Sequence, residues 1–133
     1  MPVNLYYTQR VRGFQQESVK YSKESVEIRL KCTKHQCPHC GSTSVTVEPI
    51  RSRRIRGEPL GSCRKVAIEF TIHRLYCHSC HHREIEHIPF LSYPKSRLTK
   101  ALERTILELR SHMSIQALAN FYDLRWHTIK ELE

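Results

Sequence analysis

The residues with the clearest chemistry are two cysteine pairs, each with the C-x-x-C spacing. Cys37 and Cys40 form the first pair, with Gly41 directly after it, and Cys77 and Cys80 form the second. Each pair predicts a tight turn, a knuckle, and two knuckles together predict one zinc ion bound by four thiolates. Gly41 suits a turn that needs a positive φ. Because four protein ligands leave no open position, the zinc is expected to be structural.

Other uses of these cysteines agree less well with the sequence. A redox pair would place Cys37 at the start of a helix, but a glycine and a β-branched, alternating segment follow it. A disulfide framework needs an oxidising compartment, and no secretory signal is recognisable. Cys32 is interpreted as a small buried hydrophobe, with a role as substitute ligand left open, and Cys63 as a free thiol. A mixed cysteine and histidine site also stays open, although we interpret four histidines as knuckle surface: His39, His78, His81 and His82.

The composition favours a nucleic acid as partner. The chain has 133 residues, 22 lysines and arginines against 13 acidic residues, and a formal net charge of +9. This balance favours nucleic acid over a small acidic substrate. No apolar run approaches the roughly 18 residues of a membrane span. Six cysteines without a secretory signal favour a reducing, intracellular compartment.

A strongly basic stretch lies between the two knuckles. Residues 49–65 contain six basic side chains and one acid, Glu58. The residues 57–61 supply the turn chemistry of a hairpin tip. A solvated strand face is the simpler interpretation, but arginine's planar fork suits phosphate oxygens, so a phosphate-contacting arm is favoured. Its members are Arg51, Arg53, Arg54, Arg56, Arg64 and Lys65.

Alternating apolar residues predict that the knuckles join β-strands. The strongest alternation covers 25–32, which predicts a half-buried strand. Residues 1–24 show no clear period, although Tyr6, Tyr7, Val11 and Phe14 could dock on a neighbouring surface. Further strands are expected over 42–47, 66–72 and 83–87, and prolines 89 and 94 bracket a linker that ends the sheet.

From residue 96 the apolar period changes to about 3.6 residues, which predicts helices. A first helix is expected to end near residue 111. Ser114 is suited to be the N-cap of a second helix, and Asp123 to occupy a left-handed turn before a third. Ala119 at the crossing and Ile129 beyond the turn match a helix-turn-helix, although an ordinary helical hairpin has the same spacings. The apolar stripe of the first helix is Leu98, Leu102, Ile106 and Leu109.

These patterns predict an α+β fold: a small antiparallel β zinc ribbon over 25–90, followed by a three-helix helix-turn-helix unit over 96–133. In such a unit the first turn of the third helix meets base edges. This placement nominates Arg125, Trp126, His127 and Lys130 as DNA-reading residues, with Trp126 also a candidate for the core.

The knuckles and helices together resemble the N-terminal region of bacterial insertion-sequence transposases of the ISL-three family. The resemblance covers roughly residues 25–133 and implies that the ribbon and the helices bind the terminal inverted repeats of the element. It also implies a separate ribonuclease-H-like domain, with three carboxylates holding two metal ions, that cuts and joins DNA. The segments that carry it are Cys37–Ser42, Arg53–Arg56, Arg74–Cys80, Arg97–Thr99 and residues 114–130.

This sequence departs from that family in two respects. It stops at Glu133, inside the third predicted helix, and Asp123 is its single aspartate. Because two-metal phosphoryl transfer needs several carboxylates, we expect this chain not to be an enzyme. It is interpreted as a fragment or a small stand-alone relative.

The predicted function is sequence-specific binding of double-stranded DNA, as a transposase module without its catalytic domain. A transposase-derived transcriptional regulator and a zinc-ribbon adaptor for a protein partner remain open alternatives. DNA binding should weaken steeply as salt rises, whereas an adaptor should show an exposed apolar patch and insensitivity to salt. The expected location is the bacterial cytoplasm at the nucleoid, a homodimer is left open, and no small-molecule substrate is expected.

Overall fold

The computed structural model describes residues 4, 5, 9 and 11–132, and its centre is a long strand that carries the second knuckle. Five strands occur in order: β1 (Phe14–Tyr21), β2 (Ser25–Cys32), β3 (Val45–Gly57), β4 (Lys65–Cys77) and β5 (Arg83–Ile85). β3 pairs antiparallel with β4 along almost its whole length, from Val45 opposite Cys77 to Gly57 opposite Val66. The pairing shifts between Pro49 and Arg51, where a proline that cannot donate a ladder hydrogen bond is tolerated.

The other edge of β4 is shared by two strands. β2 runs parallel to the first part of β4, with Ser25 opposite Lys65 and Arg29 opposite Glu69. β5 runs antiparallel to the last part, from Arg74 to Tyr76. β1 forms an antiparallel hairpin with β2, so the order across the mixed sheet is β1-β2-β4-β3, with β5 beside β4.

One core lies against this sheet. Alternate residues of β2 and β4 are fully buried, as the period of a half-buried strand requires. The segment after β5 covers them, and its Phe90 ring packs edge-on against Phe70 and Phe14 at centroid distances of 5.1 and 5.2 Å. Val11 is buried in the same core. Val11 and Phe14 thus dock as suggested, whereas Tyr6 and Tyr7 lie outside the described residues.

A second core belongs to three short helices within residues 11–132: α1 (Lys100–Leu109), α2 (Ile115–Tyr122) and α3 (Trp126–Lys130). Ser114 is the N-cap of α2 as predicted, since its hydroxyl oxygen accepts from the Ala117 N–H at 3.1 Å. Asp123 ends α2 in the left-handed region, with φ 53°, which confirms the predicted turn. None of the described helices has both the length and the apolar character needed to cross a membrane.

The change of apolar period at residue 96 predicted an earlier start of the first helix, but α1 begins at Lys100. The residues before it are extended against β3. Leu98 forms a parallel bridge with Arg56. The backbone of Arg56 donates to the Arg97 carbonyl and accepts from the Thr99 N–H, both at 2.9 Å. Thr99 then becomes the N-cap of α1. The helices are therefore fixed to the β3 edge of the sheet.

The predicted fold class, a small antiparallel zinc ribbon followed by a three-helix helix-turn-helix unit, is wrong. The described chain is mostly a mixed five-stranded sheet, with helices of only 10, 8 and 5 residues. The physical reason is the parallel pairing of β2 with β4, which joins the knuckle strands to the β1–β2 hairpin. The sheet starts at Phe14, so the boundary expected at residue 25 falls inside that hairpin.

Candidate metal centre

The two knuckles have the same local construction. The Cys37 N–H donates to the Ser42 carbonyl and the Gly41 N–H donates back to the Cys37 carbonyl, both at 2.9 Å. In the second knuckle, Cys77 donates to the His82 carbonyl at 2.9 Å and His81 to the Cys77 carbonyl at 3.0 Å. Gly41 (φ 73°) and His81 (φ 62°) occupy equivalent left-handed positions. His81 therefore adopts a conformation that usually favours glycine.

The knuckles bring together the four cysteines that the sequence predicted. The Sγ atoms of Cys37 and Cys80 are 3.5 Å apart, as are those of Cys40 and Cys77. All four sulfurs lie within 4.8 Å of one another. A tetrahedral zinc ion with bonds of about 2.3 Å would separate its sulfur ligands by about 3.8 Å. These four cysteines could therefore hold a metal ion with little movement.

The thiol pKa values of these closely packed cysteines are shifted in both directions. The pKa of Cys77 is lowered to about 6, because the backbone N–H of Cys80 donates to its sulfur. The N–H of Cys40 similarly lowers the pKa of Cys37. The N–H of His82 favours the Cys80 thiolate, but burial and the neighbouring sulfurs outweigh it and raise the pKa of Cys80 to about 12. Thiolates packed this closely repel one another. A bound divalent cation would offset that repulsion, because deprotonated cysteines are its ligands.

The knuckle histidines lie around the sulfurs, and none belongs to the four-cysteine group. The rings of His39 and His82 stack at 3.8 Å, which holds one knuckle against the other. His39 also contacts the Glu84 carboxylate at 2.5 Å, and His78 contacts the Thr46 hydroxyl at 2.8 Å. His39 and His78 thus have hydrogen-bond partners away from the sulfurs.

Three arginines of β3 make contacts inside the protein. Arg53 donates to the carbonyls of Pro94 and Ser96. Arg54 forms ion pairs with Glu27 at 2.7 Å and Glu69 at 2.9 Å. Arg56 donates to the carbonyls of Tyr122 at 2.5 Å and Asp123 at 3.2 Å, at the end of α2. The DNA contacts predicted for these arginines remain predictions.

Two further predicted cations lie near the hairpin tip between β3 and β4. Lys65 forms an ion pair with Asp123 at 2.7 Å, and this contact lowers the pKa of Asp123. Arg64 lies 3.5 Å from Glu24 and 5.8 Å from the centre of the Phe121 ring. Both side chains are exposed.

An open basic groove lies between β3 and residues 95–97. Arg51, Lys95 and Arg97 are exposed and have no ion-pair partner among the described residues. The pKa of Arg53 is lowered, first by burial and then by the charges of Arg51 and Arg97. Lys95 and Arg97 were not predicted from the sequence, although a Lys-Ser-Arg run directly after Pro94 is a usable signal. The lining residues are Arg51, Ser52, Arg53, Arg54, Lys95 and Arg97.

The nominated DNA-reading residues are all exposed and lie between the N-cap and the last residue of α3. Trp126 is 37% exposed, and the ammonium of Lys130 lies 4.9 Å from the centre of its ring. His127 packs edge-on against the same ring. Arg125 occupies the N-cap position without a side-chain capping bond. Ile129 of α3 is fully buried, whereas Trp126, which was also a candidate for the core, is exposed.

The chain is similar in sequence to a known transposase. Over 127 residues, 92% of this chain, it is 29% identical to the transposase for insertion sequence element IS1001 of Bordetella parapertussis. The chain spans 31% of the length of that relative. No family model matches the chain. No solved structure matches it either.

Proposed function

We propose that this chain is a sequence-specific DNA-binding module of a transposase-related protein, stabilised by one structural zinc ion. The similarity to the IS1001 transposase supports a role in transposition. The observation that carries the DNA-binding part is this basic groove, in which Arg51, Lys95 and Arg97 are exposed and have no ion-pair partner among the described residues. Surface charges are usually interspersed with opposite charges, and a cluster of one sign attracts a polyanion. In this proposal the protein acts on DNA in the bacterial cytoplasm.

The proposed phosphate contacts are the exposed cations of this groove that have no ion-pair partner among the described residues: Arg51, Lys95 and Arg97. Arg53 donates to the carbonyls of Pro94 and Ser96, so it holds the backbone of Lys95, which lies between them, and of Arg97, which follows. A cation that neutralises a phosphate releases a counterion, which makes DNA affinity dependent on salt. Phosphate contacts fix the position of a protein on DNA but carry no sequence information.

The proposed base contacts come from the exposed face of α3. A second groove extends from Lys95 and Arg97 to Thr128 of α3 and to Glu131 directly after it. Arg125 and Lys130 supply donors for base edges, and Trp126 supplies an aromatic face.

Zinc fits the four-cysteine group better than hard cations do, since thiolate ligands select soft or borderline metals. Cys37, Cys40, Cys77 and Cys80 would hold the ion, which would contribute folding energy directly. We propose that the chain itself does not cleave DNA. In support, neither of the two possible metal-binding groups among the described residues consists of several carboxylates.

The salt dependence of DNA binding tests the phosphate contacts. Affinity for a duplex should fall steeply between about 50 and 200 mM salt. Replacing Arg51 and Arg97 together by alanine should lower the slope of log affinity against log salt by about 1.8, since each phosphate contact contributes about 0.9. The measurement is fluorescence anisotropy at several salt concentrations.

Lys20→Ala is the matched control, because Lys20 is an exposed cation on β1, at the opposite edge of the sheet from β3. Its salt slope should equal that of the wild type. A slope unchanged in the Arg51 and Arg97 double variant would exclude the groove as the phosphate surface. Binding that is insensitive to salt in the wild type would instead favour the protein adaptor.

Arg125→Ala tests the base contacts. This change should cost about 1–3 kcal/mol on a selected duplex and much less on scrambled DNA, because a base contact distinguishes sequences. Competition binding with both duplexes measures the difference. Equal weakening on the two DNAs would assign Arg125 to a phosphate contact instead.

A further inference from the structure

A second group of side chains with possible metal ligands lies at a gap along one edge of β4. β2 pairs with β4 only as far as Glu69, and β5 pairs with it only from Arg74. Residues 70–73 of β4 therefore have no ladder partner from either strand on that edge. Cys32 ends β2 and Glu86 directly follows β5, so both border this gap.

The side chains at the gap converge on the carboxylate of Glu86. His35 Nδ1 lies 3.0 Å from one carboxylate oxygen, and His73 Nδ1 lies 2.7 Å from the other. The two imidazole rings meet edge-on at 4.8 Å. Ligand atoms of Cys32, His35 and Glu86 all lie within 4.8 Å of one another. Sulfur, nitrogen and oxygen atoms thus come from three separate stretches of the chain, 32–35, His73 and Glu86.

We propose that Cys32, His35 and Glu86 form a second metal site, with His73 positioning the Glu86 carboxylate through its contact at 2.7 Å. The mixed ligand set suits a borderline divalent cation, with Zn²⁺ as the natural occupant. Cys32 and His35 have the same two-residue separation as the cysteines of each knuckle. The Cys32 thiol donates to the Lys34 carbonyl at 3.2 Å, and a bound metal would displace that proton.

Glu86 is a buried carboxylate that accepts from the His73 backbone N–H at 3.2 Å and contacts two imidazoles, and a metal ion would offset the cost of its burial further. Its side chain is only 8% exposed, and the described residues place no lysine or arginine within ion-pair distance of it. A buried carboxylate is costly unless it is paired or coordinates a metal. The metal would also tie the β1–β2 hairpin to the knuckle half of the sheet, at the point where strand pairing is interrupted. This site is independent of DNA binding.

Metal stoichiometry of the full chain tests the proposal. The reduced protein is titrated with Co²⁺, whose visible spectrum reports its ligands, and bound metal is counted after weakly held ions are removed. The wild type should bind two equivalents, and X-ray absorption should detect five sulfur ligands shared by two ions. Glu86→Gln and Cys32→Ser should each bind one equivalent, coordinated by four sulfurs. His112→Ala removes an exposed histidine outside both groups and should still bind two.

One equivalent in the wild type overturns the second site, whatever the DNA-binding results. Two equivalents with an unchanged spectrum in both Glu86→Gln and Cys32→Ser overturn it as well. If a variant fails to fold, the wild-type count and its average number of sulfurs per ion still distinguish one site from two.

Discussion

Replacing Cys77 by serine is expected to remove one equivalent of zinc and to abolish the cooperative unfolding transition of the protein. Cys77 is 1% exposed and is the last residue of the central strand β4. Its sulfur accepts from the backbone N–H groups of Ser79 and Cys80, both at 3.4 Å. Structural zinc contributes about 10–16 kcal/mol to folding. A small domain has a net stability of only about 5–15 kcal/mol, so the loss of zinc should unfold it.

Metal analysis and thermal unfolding followed by circular dichroism measure both effects. Cys63→Ser is the matched control, since Cys63 is also buried, at 8% exposure, but belongs to the sheet core and not to the four-cysteine group. It should keep its zinc and lose only about 1–2 kcal/mol, the cost of a hydroxyl in an apolar site. A Cys77→Ser protein with full zinc and a normal melting transition would show that the ligands are assigned wrongly.

The local features of this protein were predictable because short segments determine them. A C-x-x-C turn places its two sulfurs side by side through hydrogen bonds within six residues, such as that from Cys37 to Ser42. Ser114 caps a helix with an N–H three residues away, and Asp123 needs only its own backbone to adopt a left-handed turn. The close approach of the two knuckles was predictable because one zinc ion needs four ligands and each knuckle supplies two.

The architecture was not predictable in the same way, because strand direction and partner are not encoded in alternation. The pattern of 25–32 correctly predicts a half-buried strand, but it is compatible with either direction of pairing, and the structure shows a parallel pair with β4. β1 carries mostly polar residues and lies at the sheet edge, so it lacks an apolar signal. Phe90, in the segment expected to be a linker, is instead buried in the core.

The electrostatic partners of the basic stretch could not be predicted from the sequence either. Only Glu58 is acidic between residues 49 and 65, yet the fold brings Glu27 and Glu69 to Arg54 from two other strands. Arg56 meets backbone carbonyls 66 and 67 residues further along the chain. Arginines in one run therefore make different kinds of contact. Which contact each one makes depends on how the strands pair, and this cannot be read from the run itself.

Replacing Arg56 by alanine is expected to destabilise the protein by about 2–3 kcal/mol, because charged hydrogen bonds of about 1.5–3 kcal/mol each are lost. Its guanidinium donates to the carbonyls of Tyr122 and Asp123, which end α2 without helical partners. Burial lowers the pKa of Arg56, and its Nε is buried without a hydrogen-bond partner. The side chain thus joins the sheet to the helices, although burying its charge and its unpaired Nε costs free energy. This is the arrangement expected of a structural contact.

Chemical denaturation measures this loss, and Arg54→Ala is its control. Arg54 neighbours Arg56 but is exposed, and its ion pairs with Glu27 and Glu69 should contribute at most about 1 kcal/mol each. DNA binding by the protein that remains folded distinguishes a structural role of these arginines from a phosphate contact. Arg56→Ala should keep the wild-type salt slope despite its lower stability, whereas the Arg51 and Arg97 double variant should keep its stability and lose slope. If Arg56→Ala instead left the stability unchanged and lowered the slope by about 0.9, Arg56 would be a phosphate contact and its contact with α2 would be energetically unimportant.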